Sequence, residues 1–201
     1  MITIVALGDS TTAGTPGFNS PIEAPPDGSG DVESQYAYWL MQQHPEWEVL
    51  NRGVNGERSD QILARFERDV VAAAPRAVVI IAGVNDVYQG RPAEHVIDQL
   101  RAMYDRAHEA GIPVVAGTIV PYNTATADQN ARMHQINAWI VARGSSDLPA
   151  FAAVDTRAAV ASPESPDLLF DSPDRLHPTA EGYRRMADAI APILRRVLAQ
   201  A

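Results

Sequence analysis

The run AVVIIA at residues 77–82 places six apolar residues in a row. A strand with one face in water alternates apolar and polar residues. A short continuous apolar run fits a strand covered on both faces. ITIVAL (2–7), WEVL (47–50), IPVVAG (112–117) and FAAV (151–154) are further runs of this kind. Patterns of helical period lie between them. Ile62, Phe66 and Val70, with Leu63 beside them, follow Ser59, the expected N-cap. Val96, Leu100, Met103 and Ala107 make a stripe that Gly111 should terminate. Thr126 and Gln129 form a capping box ahead of Met133, Ile136 and Ile140. The last stripe is Tyr183, Met186, Ile190, Ile193 and Val197; Pro192 inside it predicts a kink or break just before the proline. Strand–helix alternation requires parallel strands joined by crossovers, which predicts an α/β protein with a three-layer α/β/α sandwich. A chain of 201 residues fits one domain, 1–201.

Charge and composition narrow the function classes. The net charge is −9 and no block of Lys/Arg occurs, so nucleic acid is not an expected partner. No apolar run reaches the roughly 18 residues of a membrane span, so membrane insertion is not expected. The opening MITIVALGDS lacks a basic segment before its apolar run, which makes a cytoplasmic location the expectation. The chain has no cysteine, which excludes disulfides, thiolate metal ligands and a thiol nucleophile.

In parallel sheets, ligands bind beyond the carboxyl ends of the strands. The residues there are Gly8, Asp9 and Ser10 after the first run, and Asn51, Gly53, Asn55 and Gly56 after the second. Gly83, Asn85, Asp86 and Tyr88 follow the third, and Tyr122 the fourth. Past the fifth, the chain reaches Asp174 and His177, immediately before Pro178 and the last helix. Ester hydrolysis needs these groups together. A serine hydroxyl attacks only once a base takes its proton, and imidazole is the usual base near neutral pH. A carboxylate fixes the tautomer of that imidazole. The tetrahedral oxyanion needs preorganised donors. Candidates are the Asn85 side-chain amide and the backbone N–H groups of Gly56 and Ser10.

Four segments, GDST (8–11), NGERS (55–59), GVND (83–86) and DRLHP (174–178), resemble in order and spacing the four blocks of SGNH hydrolases, the GDSL-type esterases and lipases. The resemblance implies a flavodoxin-like five-stranded sheet of order 2-1-3-4-5. It also implies Ser10 as nucleophile, His177 as base, Asp174 as its support, and Gly56 and Asn85 in the oxyanion hole. Thr11 departs from the Leu that many members place after the serine. In the second block Gly53 competes with Gly56, and Gly56 is preferred because it stands directly before the Ser59 helix. No Gly-x-Ser-x-Gly elbow is present, which separates the chain from ordinary α/β-hydrolases.

Each residue also has an ordinary reading. Ser10 could cap its turn, Asn85 and Asp86 could form a turn pair, and Thr179 could cap the last helix. Asp9 is expected to turn its loop by accepting backbone amides. Asp167 or Asp171 could replace Asp174 beside the imidazole. His44, His95, His108 and His134 lack a carboxylate pattern and are expected at the surface or core edge. Tyr88 and Tyr122 either line a cleft or pack. The Pro/Gly-rich segment 15–33 is either a passive excursion or a cap over the site, with Phe18 as a wall. The expected activity is a serine esterase acting on short-chain or acetyl esters, carbohydrate esters among them, with a small-molecule partner and neither cofactor nor metal. A rival is a metal-dependent phosphohydrolase using Asp9, Asn85 and His177 as ligands. Another is a ligand-binding protein on the same fold. For the esterase, activity should rise as imidazole loses its proton, at about pH 6.5 for an ordinary side chain.

Overall fold

The computed structural model describes residues 1–144 and 150–200. Its main sheet contains β1 (Ile2–Gly8), β2 (Trp47–Gly53), β3 (Ala77–Ile81), β4 (Val114–Gly117) and β5 (Phe151–Val154). All pairings are parallel, in the order β2-β1-β3-β4-β5. This is the order the family resemblance implied. The chain adds β2 on one side of β1 and then crosses to add β3 on the other. That reversal creates a crevice at the carboxyl end of β1. The register brings Gly8 level with both Gly53 and Ile81, so the loops after the first three strands start at one height.

Helices run α1 (Ser10–Ala13), α2 (Tyr36–Gln43), α3 (Ser59–Ala64), α4 (Phe66–Asp69), α5 (Val84–Tyr88), α6 (Ala93–Glu109), α7 (Ala127–Gly144), α8 (Thr156–Val160) and α9 (Ala180–Gln200). Strand side chains alternate between the two faces of the sheet. Val5, Leu7, Val78 and Ile80 meet Ile62, Phe66, Leu100, Met103, Met133 and Ile136 on one face. Ile4, Ala6, Val79 and Ile81 meet Tyr36, Leu40, Tyr183, Met186 and Ile190 on the other. Covering helices on both faces explain the unbroken apolar run of β3, where every residue is buried.

Several local expectations hold. Gly111 takes φ +69 just past α6, and its N–H bonds the carbonyl of His108. Thr126 and Gln129 exchange side-chain and backbone bonds as a capping box. The Thr179 hydroxyl accepts the Gly182 N–H at 3.4 Å ahead of α9.

Others are corrected. Of the kink or break expected at Pro192, the break does not occur: helix α9 continues through the proline. A proline inside a helix costs about 3 kcal/mol. Burial of Met186, Ile190, Leu194 and Val197, each worth roughly 1.5–3 kcal/mol, outweighs that. Ser59 is the first residue of α3, not its N-cap; the Arg58 N–H bonds Gln61 Oε1 instead. The stripe Ile62, Phe66, Val70 is fully buried, but Ile62 lies in α3, Phe66 in α4 and Val70 just past it. Helix α2 was not expected, and β2 extends to Gly53, past the apolar WEVL. Segment 15–33 folds back on itself, pairing Phe18–Asn19 with Ser29–Gly30.

Arg65, at the junction of α3 and α4, fastens the strand ends. Its guanidinium donates to the carbonyls of Gly8 (2.9 Å) and Arg52 (2.9 Å). It also pairs with Glu57 (2.7 Å) and Asp69 (2.8 Å), with only 7% of its side chain exposed. Removing it breaks the Glu57 pair and leaves buried Asp69 with Arg68 alone. Arg65→Met should therefore lower the unfolding free energy by about 3–5 kcal/mol, as measured by urea denaturation.

Candidate active site

The site begins at the end of β1. Asp9 is the N-cap of α1, its Oδ1 accepting the Thr11 N–H at 3.0 Å. Because Asp9 performs the capping, the hydroxyl of Ser10 is not needed for it. That hydroxyl meets His177 Nε2 at 2.9 Å, though the two residues are 167 positions apart. On the far side of the ring, His177 Nδ1 meets Asp174 Oδ2 at 2.7 Å. Asp174 Oδ1 accepts the backbone N–H groups of Leu176 (2.9 Å) and His177 (2.8 Å). This compact turn places Arg175 at φ +66, an uncommon conformation for a non-glycine residue. Partial burial works to raise the Asp174 pKa. The bonds from His177 and from the two backbone N–H groups outweigh it and hold the carboxyl below its ordinary value.

The second and third blocks face the same cleft. Gly56, at φ +73, and Asn85 line a cavity of about 230 Å³ together with Ser10, Thr11, Asn55, Val84, Tyr88, Tyr122, Leu176 and His177. Asn85 Nδ2 donates one hydrogen to the carbonyl of Glu57 at 3.0 Å, which orients the amide and leaves its other hydrogen. Gly53 is placed differently. Its N–H donates to Asn51 Oδ1 at 2.9 Å, and a Cβ there would lie 2.1 Å from the Ala13 nitrogen. Gly53 thus lets β2 approach α1, while Gly56 is the glycine at the cleft. Tyr88 and Tyr122 line the cleft and also pack edge to face, with centroids 5.9 Å apart.

A relay of carboxylate, imidazole and hydroxyl beside an oriented amide can move a proton off the hydroxyl and receive an anion. The model of the GDSL-like Lipase/Acylhydrolase family matches residues 6–185. The chain belongs to this family. No curated protein matches it. Among solved structures, this GDSL-like hydrolase is similar to a G-D-S-L family protein from Desulfitobacterium hafniense DCB-2. The identity is 23%, over 96% of this chain and 99% of that one, with a TM-score of 0.78. A lipase/acylhydrolase from Enterococcus faecalis is 20% identical over 98% of this chain and 96% of its own, with a TM-score of 0.73. A mutant acetyl-xylooligosaccharide esterase from Geobacillus Stearmophilus is 23% identical over 98% and 94%, with a TM-score of 0.69. At these identities the likeness is one of fold.

Two of the metal ligands considered from the sequence, Asp9 and His177, already have partners in this hydrolase. His177 has both ring nitrogens engaged, and Asp9 is buried with one oxygen on the Thr11 N–H. Asp60, Asp86 and His95 bring ligand atoms within 4.8 Å of one another. Asp86, however, uses both oxygens on Ser59, accepting its N–H (2.7 Å) and its hydroxyl (2.8 Å). Asp60 binds the Arg58 guanidinium. Asp86 is more than a turn residue: it clasps the start of α3 to α5, and so joins the loop that carries Gly56 to the helix that carries Asn85.

Further expectations are revised. Asp167 cannot serve His177, since it pairs with Arg157 and His134, each at 2.7 Å. Contrary to the sequence reading, carboxylates do lie near three other histidines: Glu46 at His44, Asp86 at His95 and Asp167 at His134. Phe18 is buried against Gly28 in its own hairpin and does not wall the cleft. Arg65 and Asp86 went unnoticed as site-building residues, because no local pattern marks a side chain whose partners are distant.

Asp9 supplies a test. Burial pushes its carboxyl up to about 7, against the pull of the Thr11 bonds. The unfolded chain releases this proton near pH 4. The folded state therefore holds a proton that the unfolded state has lost between about pH 4 and 7, and stability falls as pH rises through that window. Urea titrations across it should show wild type losing stability relative to Asp9→Asn, which removes this slope.

Proposed function

We propose that this protein is a serine esterase that works through an acyl-enzyme without a cofactor. Ser10 Oγ attacks the ester carbonyl carbon while His177 Nε2 takes its proton. Asp174 keeps the remaining ring proton on Nδ1 and stabilises the imidazolium as it forms. The carbonyl oxygen becomes an oxyanion, received by the Gly56 N–H, the free side-chain hydrogen of Asn85 and the Ser10 N–H. The C–O bond to the alcohol then breaks, and the alcohol leaves with the proton from His177. Water, deprotonated by the same imidazole, attacks the acyl carbon; the bond to Ser10 Oγ then breaks, His177 returns the proton to that oxygen, and the acid leaves.

One observation carries this reading: the continuous relay Asp174–His177–Ser10, at 2.7 and 2.9 Å, opening into a cleft that also holds Gly56 and Asn85. Membership of a lipase/acylhydrolase family supports ester hydrolysis in general. The cleft supports a small acyl group, since pockets for drug-sized ligands start at roughly 300 Å³ and this one is about 230 Å³. Tyr88, 56% exposed at the cleft, offers an aromatic surface to the alcohol part of the ester. A sugar ring suits such a surface, in keeping with the acetyl-xylooligosaccharide esterase of similar fold.

Hydrolysis of p-nitrophenyl acetate tests the assignment. Ser10→Ala and His177→Ala should each lower kcat by about three orders of magnitude or more. Asn85→Ala should lower it about a hundred- to thousandfold. Variants that match wild type refute the reading. Chelator should leave turnover unchanged, and p-nitrophenyl octanoate should be a poorer substrate than the acetate. Asp174, its carboxyl held below the ordinary value by its bonds, should stay ionised as pH falls.

A further inference from the structure

Segment 15–33 leaves the nucleophile turn and returns against the second cleft block. Its contacts converge on one residue. Glu23 Oε1 accepts the backbone N–H of Asn55 at 2.9 Å, and Glu23 Oε2 accepts Asn55 Nδ2 at 3.0 Å. Thr15 Oγ1 donates to Asn55 Oδ1. The backbone donor, side-chain donor and side-chain acceptor of Asn55 are thus all held by this segment. Glu23 is itself well placed. The hydroxyl of fully buried Ser20 donates to the Gly53 carbonyl at 2.6 Å, and the Glu23 N–H bonds the Ser20 carbonyl at 3.0 Å.

The next peptide after Asn55 carries the Gly56 N–H. Peptide planes are rigid, so the aim of that N–H depends on the backbone dihedrals of residues 55 and 56. Gly56 itself supplies little restraint. Glycine adopts positive and negative φ about equally well, and no atom lies within 4 Å of where its Cβ would stand. The bond closing the turn, from the Glu57 N–H to the Val54 carbonyl, is long at 3.4 Å. On the far side of Gly56, Glu57 is held by Arg65 at 2.7 Å and by Asn85 on its carbonyl at 3.0 Å; on the near side the hold is the one on Asn55.

We propose that Glu23 is a positioning residue for the oxyanion hole: acting through Asn55, it aims the Gly56 N–H at the substrate's carbonyl oxygen. The proposal rests on the esterase reading above. It gives the Pro-rich segment a role as a brace for the catalytic backbone, in place of a cap over the substrate.

The oxyanion exists only in the tetrahedral state, so a misaimed donor should reduce kcat and spare KM. Glu23→Ala should lower kcat for p-nitrophenyl acetate about tenfold or more, short of the hundred- to thousandfold loss of a whole donor. KM should stay within about twofold, and affinity for a boronic acid, a tetrahedral mimic, should fall with kcat. Glu23→Gln, which keeps one acceptor, should recover part of the rate. Glu23 and Asn55 are both exposed, so the melting temperature should move little. In an Asn55→Ala background, Glu23→Ala should cost nothing more, because the route through Asn55 is already cut. Unchanged kcat, a loss confined to KM, or a full additional penalty in that background overturns the proposal. A readout independent of turnover is the Gly56 amide order parameter from nitrogen-15 relaxation. It should drop toward flexible values, below about 0.6, in Glu23→Ala, and an unaltered value also overturns the brace. Wild type without Ser10-dependent hydrolysis refutes the esterase reading instead, and the amide measurement still judges the brace.

Discussion

A single contact closes this molecule functionally: His177 Nε2 to Ser10 Oγ, joining positions 167 residues apart. Its geometry depends on the whole fold. β1 must lie inside the sheet, with β2 and β3 level at its end, for the Ser10 turn to open into a crevice. α9 must lie on the sheet face that holds Tyr36 and Met186, because the His177 loop leads directly into it. The buried Tyr183 hydroxyl, bonded to the Thr15 carbonyl at 2.7 Å, fixes the start of α9 to the loop that follows Ser10. The Ser10 turn and the His177 loop are thereby held by the same helix.

Around this contact the strand-end loops are joined by buried polar groups. Arg65 holds the carbonyls of Gly8 and Arg52, Asp86 holds Ser59, and Asn85 reaches the Glu57 carbonyl. Such groups are costly to bury unless their partners are satisfied. Once satisfied, they permit few alternative arrangements. Loops built this way can present donors without rearranging during the reaction, as oxyanion stabilisation requires. The loop that carries Gly56 is more exposed; Arg65 and Asn85 hold it through Glu57, and the segment after α1 holds it through Asn55.

Much of the fold is legible in the sequence because it follows from spacing along the chain. AVVIIA is apolar throughout because both sheet faces are covered, and the α6 and α7 stripes have the period of a helix packed on one side. Strand order was implied by the family resemblance, since no local pattern encodes it. The errors arose where distant atoms overruled local preference. Ser59 has a good capping side chain, but Asp86, 27 residues away, takes its hydroxyl and its N–H. Pro192 disfavours a helix, yet the buried face of α9 carries the helix through. YAYWLMQQ has apolar residues on every side and no readable face, so α2 becomes visible only once it packs on β2 and α9.

The same division applies to the site. The sequence by itself determined the strand–helix alternation, the chemical groups at the strand ends, and the Asp174–His177 pair, whose bonds span three residues or fewer. Interactions that short depend on chain order alone. Tertiary structure decided that the Ser10 hydroxyl reaches that imidazole, that Gly56 and not Gly53 faces the cleft, and that Glu23 holds Asn55. These depend on sheet order, register and the path of a long loop, all set by packing between segments far apart in the chain.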